Sequence, residues 1–516
     1  MIWLYLKTEF FKKYNSGERE LMKTKSDVLE KIISLAKRKG FVYQSSEIYG
    51  GLNGCYDYGP LGSEMLRNLK DEWWKFMTYR EDVEGLDASI LMSPEVWVAS
   101  GHVENFTDPM IDCKSCKARF RVDYLIDQIA VKKKSKLLET LLAVAKEGDL
   151  KSKLEDSLKS VESKSEEVND FIVDLFETEL APKLIEELNC PTCGNKGSFT
   201  SARKFNLMFK TFLGPVEETG SAIYLRPETA QGIFVNFLNV QNASRQKVPF
   251  GIAQIGKAFR NEINTRYFLF RTREFEQMEM QYFVKPDEDK KYYDYWKELR
   301  LNWFKSLGMK PENLRYHDHP ANKLAHYAKE ATDIEYQFPF GWGEIEGIHN
   351  RTDFDLGRHE QYSKKGLRFY DEDSKERFLP YIIETSAGAS RSFMAFLIDA
   401  YEEQDLGGDI RTVLHLHPRL APVKAAILPL VNKDGMPEFA KKIEADLRSK
   451  YKIFYDDKAA IGRRYRRMDE IGTPYAITVD TQTLEDNSVT VRERDSMEQI
   501  RVDASKLSGY LAEKLA

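Results

Sequence analysis

PFGIAQIGKAFRNEINTRYFLFRTREFEQMEMQYFV, residues 249–284, reads as two strands joined by an arginine-bearing loop. In the first strand Gln254, Gly256, Ala258, Arg260 and Glu262 share one parity. In the second, Phe275, Gln277, Glu279 and Gln281 share one parity, and Met278, Met280 and Tyr282 take the other. Alternation with period two and one apolar side marks a half-buried strand. The polar side carries both signs of charge more densely than a plain solvated face needs. Arg266, Arg271 and Arg273 lie in the loop. Guanidinium forks match phosphate oxygens, so two antiparallel strands with such a loop make an open cradle for a polyphosphate. A salt-bridged hairpin on a sheet edge is the plainer alternative, and the hairpin alone leaves both open.

The rest of the chain bounds the choice. Its 516 residues suffice for two or three domains, and 42% hydrophobic residues make it globular. A net charge of −5 neither supports nor excludes nucleic acid, because phosphate binding needs a local basic patch. No apolar run reaches the length of a membrane span. The start, MIWLYLKTEFFKKYN, is broken by Lys7 and Glu9 too early for a signal peptide. Residues 1–22 read as an N-terminal extension, with Met22 as the functional start. Four of the five cysteines fall in two CxxC pairs, Cys113/Cys116 and Cys190/Cys193, which fits a reducing cytoplasm. Four thiolates are the number a tetrahedral structural Zn²⁺ takes, and four unligated thiols in a loop are the alternative. Residues 117–189 between the pairs are charged and helical in pattern, and read as an inserted helical hairpin or pair.

In chain order, 23–40 reads as an amphipathic helix closed by Gly40, followed by a Gly-rich loop through DYGPLG. SEMLRNLKDEWWKFM is a helix with Leu66, Leu69, Trp73 and Phe76 on one face, and VEGLDASILMSP is a strand ending at Pro94. His317, His319 and His326 offer imidazoles for a second metal, but their irregular spacing among tyrosines and lysines favours structural roles. In GWGEIEG, Glu344 and Glu346 are expected to share a strand face as paired carboxylates for Mg²⁺ or an ammonium. Residues 380–384 are expected to form a strand delivering Glu384, then a tight turn through Ser386, Gly388 and Ala389, with Arg391 opening a helix. A small-residue turn at a helix start, with an arginine there, can stop the end of a triphosphate. From Thr412 helices and strands alternate as in a separate α/β domain, with Arg463, Arg464, Arg466 and Arg467 clustered on one helix as a candidate RNA surface or a solvated face.

FRNE followed by FRTREF resembles motif 2 of a class II aminoacyl-tRNA synthetase. AQIGKAFRNEI, REFEQMEM, SEIYGG, IYLRPETAQGIF and GWGEIEG are similar to the dimeric, eukaryote-like glycyl-tRNA synthetase family. The helix and strand before Pro94 resemble motif 1, at the family's dimer interface, and FLPYIIETSAGASRSF resembles motif 3. The resemblance implies an α+β class II synthetase catalytic core, an antiparallel sheet flanked by helices, with a helical zinc-knuckle insertion and a C-terminal α/β anticodon-binding domain. The expected division is 23–110 and 195–411 for the catalytic domain, 111–194 for the insertion and 412–516 for the anticodon-binding domain. It further implies a cytoplasmic homodimer that uses ATP with Mg²⁺, glycine and tRNA(Gly).

The reaction so implied attacks the ATP α-phosphorus with the glycine carboxylate. Both reactants are anions, so the site must supply cations and alignment, and no general base is needed. The resemblance assigns catalysis to Arg260 and Arg391. It assigns ATP to Arg260, Asn261, Glu262, Phe270, Arg271, Thr272, Arg273, Glu274, Phe275, Glu344, Ile345, Gly388, Ala389, Ser390 and Arg391, with Phe275 stacking on adenine and Glu344 with Glu384 on the metal side. It assigns glycine to Arg121, Glu228, Phe275, Glu276, Gln277, Met278, Glu279, Glu384, Thr385, Ser386, Ala387 and Gly388. Glu228 also reads as an ordinary helix N-terminal acid after Pro227, and Arg121 as an ion pair supporting the knuckle. Glycine has no side chain to grip, so only its charged ends and walls that refuse larger residues can select it. A class II synthetase for another small amino acid, or an inactive synthetase-like protein that binds nucleic acid, are the other readings.

Overall fold

The computed structural model describes residues 27–163, 165–214, 221–263, 265 and 267–515. The expected extension at 1–22, the start at Met22 and the loop arginine Arg266 lie outside these residues. The chain forms two compact units, one of residues up to 92, 228–259 and 267 onward, the other of 93–227 and 260–265.

The first unit is organised by a seven-stranded sheet. Its strands in chain order are β1 (Val83–Gly85), β2 (Phe250–Phe259), β3 (Glu274–Val284), β4 (Leu314–Asp318), β5 (Glu330–Phe338), β6 (Gly341–Thr352) and β7 (Tyr381–Gly388). Their order across the sheet is β4-β5-β6-β7-β3-β2-β1, antiparallel throughout except for β1 against β2. The helices that matter are α1 (Pro60–Thr78), α2 (Ala230–Val235), α3 (Asp289–Ser306), α4 (Phe354–Ser363) and α5 (Ala389–Asp399). The β2–β3 hairpin is the pair of strands expected from the sequence, in register from Glu274 opposite Phe259 to Phe283 opposite Phe250. Met278, Met280 and Tyr282 are buried in the core with Met65, Leu69 and Trp73 of α1, Trp296 of α3 and Phe393 of α5. Full burial of each such side chain contributes about 1.5–3 kcal/mol.

Three local expectations are corrected. The strand expected from 83 to Pro94 is only β1; Pro94 instead occupies the first turn of a helix, Pro94–Ala99, capped by the Ser93 hydroxyl. A proline lacks the N–H that a first turn leaves unused in any case. The tight turn before Arg391 is absent: β7 runs through Ser386 to Gly388, which is extended (φ −76°, ψ 114°), and α5 starts at once. Glu344 and Glu346 do not share a face. The β5–β6 register steps from Ile334/Glu346 to Glu335/Glu344, leaving Ile345 as an extra residue. Such a bulge turns alternate residues to opposite sides.

The same unit holds a second sheet with spatial order Ile453–Tyr455, Ala425–Pro429, Tyr475–Val479, Ser488–Glu493, Gln499–Asp503, whose first three strands are parallel. The arginine cluster there is largely spent on protein. Arg464 is buried and donates to the carbonyls of Pro429, Leu430 and Asp456, Arg466 meets Asp409 and Arg467 meets Asp456.

In the second unit a three-stranded sheet, with Thr107–Asp112 between Arg119–Arg121 and Arg203–Asn206, carries five helices: Val122–Asp127, Val131–Leu142, Asp149–Ser160, Ser165–Asp174 and Ala181–Glu187. The expected helical pair is thus a small bundle with its own core, which includes Leu138, Leu141, Leu154, Ile172, Leu184, Cys113 and Cys190. Among the described residues no helix is long and apolar enough to cross a membrane.

Candidate active site

The polar face of the sheet is built by register. On β3 and β7, Gln277 stands opposite Gly388, Glu279 opposite Ser386 and Gln281 opposite Glu384. On the far side of β7, Ser386 stands opposite Gly347 and Glu384 opposite His349 of β6. Residues directly opposite share a face. Gln277, Glu279, Gln281, Ser386, Glu384, Gly347 and His349 therefore line one surface. α2 and the residues before it bring Glu228, Thr229 and Gln231 to the same place.

A hydrogen-bond network locks these groups. Gln281 Nε2 donates to Glu279 Oε1 at 3.0 Å and to Glu384 Oε2 at 2.6 Å. The Thr229 hydroxyl donates to Glu279 Oε2, and Gln231 Nε2 donates to Glu228 Oε1 at 2.9 Å. Glu384 also meets His349 Nδ1 at 2.8 Å and Arg351 NH1 at 2.9 Å. Arg351 is held in turn by Asp355 of α4 and lies 3.9 Å from the Tyr327 ring centroid. Gln277 Nε2 donates to Ser386 Oγ at 3.2 Å. Two acceptors remain, Gln277 Oε1 and Gln281 Oε1, buried without a hydrogen-bond partner.

The electrostatics are lopsided. Burial, then Glu384 and Glu228, push the Glu279 carboxyl well above its ordinary value. Burial also opposes charge on Glu384, but Arg351 and His349 prevail and hold it at about 2. His349 is raised: burial disfavours its cation, and the Glu384 carboxylate outweighs that. One carboxylate is satisfied and two more crowd beside it. A small cation with several N–H donors is the ligand that such a surface takes.

A second cluster lies where β6 meets α5. Arg391 NH1 reaches Glu344 Oε2 at 2.8 Å, its Nε donates to the Phe270 carbonyl at 3.0 Å, and its guanidinium lies 4.5 Å from the Phe270 ring centroid. Arg391, Glu344 and Phe270 are thus brought together. Phe275 and Arg271 are half-buried on the hairpin.

Other expected site residues are sent elsewhere. Runs such as 275–279 and 384–388 cannot all face one site, because a strand alternates. Met278, Thr385 and Ala387 lie on the core face, each fully buried, and Glu276 there pairs with Lys70 of α1 at 2.9 Å. Glu274 pairs with Lys257 across the hairpin at 2.5 Å. Ile345 and Ala389 belong to the core, the Ser390 hydroxyl accepts from Tyr58 at 3.0 Å, and the Thr272 hydroxyl donates to the Glu274 carbonyl at 3.1 Å. Arg273 donates to the Asn53 carbonyl. Glu346, a candidate for the ammonium, is fully buried with Arg300 of α3 on two of its donors, at 2.7 and 3.1 Å. Glu384 has both oxygens occupied by His349, Arg351 and Gln281, so it is not a metal-side carboxylate.

Arg260, Asn261, Glu262 and Arg121 fall in the second unit. Arg260 Nε donates to the Pro227 carbonyl at 3.1 Å with its guanidinium 5.4 Å from the Phe106 ring centroid, Asn261 N–H bonds the Leu207 carbonyl at 2.7 Å, and Glu262 is buried. Arg121 is clamped by Asp108 at 2.9 Å and Asp123 at 2.6 Å and stacks on Tyr124. These contacts are those of an ion pair that supports the knuckle.

The four cysteines converge. Cys113 Sγ lies 3.7 Å from Cys193 Sγ, and Cys116 Sγ 3.6 Å from Cys190 Sγ. Both knuckles make the same turn: Lys117 N–H bonds the Cys113 carbonyl and Gly194 N–H bonds the Cys190 carbonyl, with Lys117 and Gly194 both left-handed (φ 62° and 75°). The Cys116 backbone and the Ser198 hydroxyl pull the Cys113 thiol down to about 6.

Sequence reasoning missed Thr229, Gln231, His349, Arg351 and Asp355. Parity had already placed Gln281 beside Glu279, and the same count along β6 finds His349 two residues beyond Gly347. Nothing local points to Gln231 or Asp355, which come from helices.

Three family models match the chain: the class II tRNA synthetase core domain (G, H, P, S and T) over residues 205–401, the glycyl-tRNA synthetase insertion domain 1 over 108–207 and an anticodon binding domain over 424–514. A glycine–tRNA ligase of Streptomyces coelicolor is 50% identical over 499 residues, covering 95% of this chain and 99% of its own. One from Treponema denticola is 50% identical over 486 residues, 93% of this chain and 95% of its own. Among solved structures, prolyl-tRNA synthetase from Cryptosporidium parvum, complexed with L-proline and AMP, superposes with a TM-score of 0.56 at 13% identity, over 94% of this chain and 77% of that one; at this identity the likeness is one of fold.

Proposed function

Because this chain belongs to the glycine–tRNA ligase family of class II aminoacyl-tRNA synthetases, we propose that the polar face of β3, β6 and β7 holds its glycine and that Arg391 and Glu344 mark the triphosphate end of its ATP. The enzyme joins glycine and ATP into glycyl-adenylate and pyrophosphate, then passes glycine to the 3′ end of tRNA(Gly). The observation that carries the assignment is the pair of unpartnered acceptors, Gln277 Oε1 and Gln281 Oε1, set among Glu228, Glu279 and Glu384. A buried acceptor left unpaired costs about 1–3 kcal/mol, and an ammonium group brings the donors that relieve it. Ser386 and Gly347 stand side by side on this face. A Cβ added at Gly347 would come within 2.7 Å of the His349 ring, so the wall there is already tight.

The chemistry asks the protein for alignment and positive charge. Arg391 supplies a guanidinium to the far phosphates and exchanges its hold on Glu344 for them. Glu344, released from Arg391, would then be a carboxylate able to hold the Mg²⁺ that accompanies ATP, an ion that would offset phosphate charge. Phe270 and Phe275 offer ring faces to the base. Arg260, with Asn261 and Glu262, takes its role at the α-phosphate and the glycine carboxylate from the motif that these residues spell.

The cysteine cluster fits Zn²⁺. With Zn–S bonds near 2.3 Å, tetrahedral sulfurs sit about 3.8 Å apart, close to the spacings of 3.7 and 3.6 Å. Four thiolates leave no open position, so the ion is structural and fastens the insertion. The division at 111–194 and 412–516 is retained as the functional one, the first part carrying the insertion and the second reading the anticodon. A homodimer is supported by Ile48 and Tyr49 of the SEIYGG loop, 89% and 87% exposed. Four cysteines gathered into one candidate metal cluster, rather than spread as a disulfide framework, support a cytoplasmic setting.

Pyrophosphate exchange measured with each of the twenty amino acids tests the whole reading. Glycine alone should drive it; exchange driven equally by alanine overturns the assignment of the cramped acidic face.

A further inference from the structure

Outside this site, two histidines and an aspartate meet at the open side of the sheet. His317, next to last in β4, stands opposite Asp333 of β5, and His319 follows two residues on, just past the end of the strand. The His319 N–H still bonds the Ala331 carbonyl, so the strand geometry continues past Asp318. Side chains two apart on a strand share a face. The two imidazoles accordingly lie side by side, their centroids 5.4 Å apart and planes 29° from parallel. His319 Nε2 is 2.8 Å from Asp333 Oδ2, and one ligand atom from each of the three residues lies within 4.8 Å of the others. His317 Nδ1 is 3.3 Å from Glu335 Oε1. A carboxylate behind one ring nitrogen fixes the ring and presents the other nitrogen as a ligand.

We infer that His317, His319 and Asp333 form a binding site for a divalent transition ion of borderline softness, Zn²⁺ by preference, separate from the cysteine cluster. Two imidazoles and a carboxylate suit such an ion, and three protein ligands leave a coordination position for water. Nitrogen and oxygen ligands on one zinc ion stand about 3.3 Å apart, so the closing movement is about an ångström or more. The half-exposed His317 ring can make that movement by rotation while Asp333, 14% exposed at its side chain, anchors the site. Asp333 is also opposite Gly347, which is opposite Ser386. At one strand spacing per step, the ion lies roughly 10 Å from the glycine-binding row on the same face. His326, the third histidine of the segment, packs against Tyr327 and Phe354 instead.

The test uses the full chain, dialysed after its cysteine cluster has been filled with Zn²⁺, and titrated with Co²⁺. One further equivalent is expected, with d–d absorption and no thiolate charge-transfer band. His317→Ala/His319→Ala should remove that equivalent. Glu335→Gln, which touches the ion only through His317, should weaken it about 10- to 100-fold. Far-UV circular dichroism reports whether each variant is folded. A wild-type chain that takes no ion beyond the cysteine equivalent overturns the inference, as does a folded double variant that keeps it; either leaves His319 and Asp333 as an ordinary ion pair.

Discussion

Glu279→Gln removes a potential negative charge from the glycine face at almost constant volume. Without ligand, burial, then Glu384 and Glu228, push the wild-type carboxyl well above its ordinary value and so favour its neutral form, which glutamine imitates. Thr229 and Gln281 remain within hydrogen-bond reach of the new amide. A pKa raised in the folded state means that this group's stabilising share is complete below the ordinary carboxylate value, about 4.3, and is lost as pH climbs through the raised value. The amide does not titrate. The Tm of the variant minus that of wild type should therefore grow from pH 4 to neutral pH. Glycine binding should respond in the opposite sense. The ammonium draws Glu279 into its ionised form, and losing a charge-assisted hydrogen bond costs about 1.5–3 kcal/mol, or roughly 10- to 100-fold in the KM for glycine. The KM for ATP should stay where it is. Exchange assays titrating each substrate, with differential scanning calorimetry from pH 4 to 8, measure both halves. An equal rise in both KM values refutes the placement of Glu279 against the ammonium, and a variant that loses stability relative to wild type as pH rises refutes the upward shift of its pKa.

The other variants probe the remaining parts. Glu228→Gln should raise the KM for glycine more than that for ATP; the reverse pattern in the exchange assay gives Glu228 a structural role. Arg260→Ala should abolish exchange with an unchanged circular dichroism spectrum, and normal exchange would remove the motif assignment. His349→Gln should destabilise most at pH 5–6: the raised pKa of His349 makes its contribution complete below its ordinary value of about 6.5 and lost through the raised one, so calorimetry showing an effect confined to alkaline pH contradicts the His349–Glu384 pair. Cys113→Ser should lower the zinc content of the purified protein and release the insertion to proteolysis first; full zinc with an intact insertion counts against the four-thiolate site.

The hairpin at 249–284 was legible because its two parities are local, and β2 and β3 carry them in the expected register. The cysteine pairs were legible for the same reason, since each knuckle closes within five residues. The runs 274–279 and 384–388, taken whole from motifs, were divided by alternation: Glu279, Glu384 and Ser386 face the site, while Met278, Thr385 and Ala387 face α1, α3 and α5 across the core. Alternation along GWGEIEG failed at one residue, because a bulge belongs to the pairing of two strands and does not show in the alternation of either one alone.

Sequence alone determined which chemistry was present: the motif arginines, the acids near them, the four thiols and the order of the parts, all of which are properties of neighbours along the chain. Tertiary structure decided which groups act together. Glu228, Glu279 and Glu384 meet because α2, β3 and β7 pack side by side, Glu346 is diverted to Arg300 by the bulge at Ile345, and His317 and His319 gain Asp333 from the next strand. Facing and burial depend on register between segments far apart in the chain, and each such pairing is fixed only when the core closes around it.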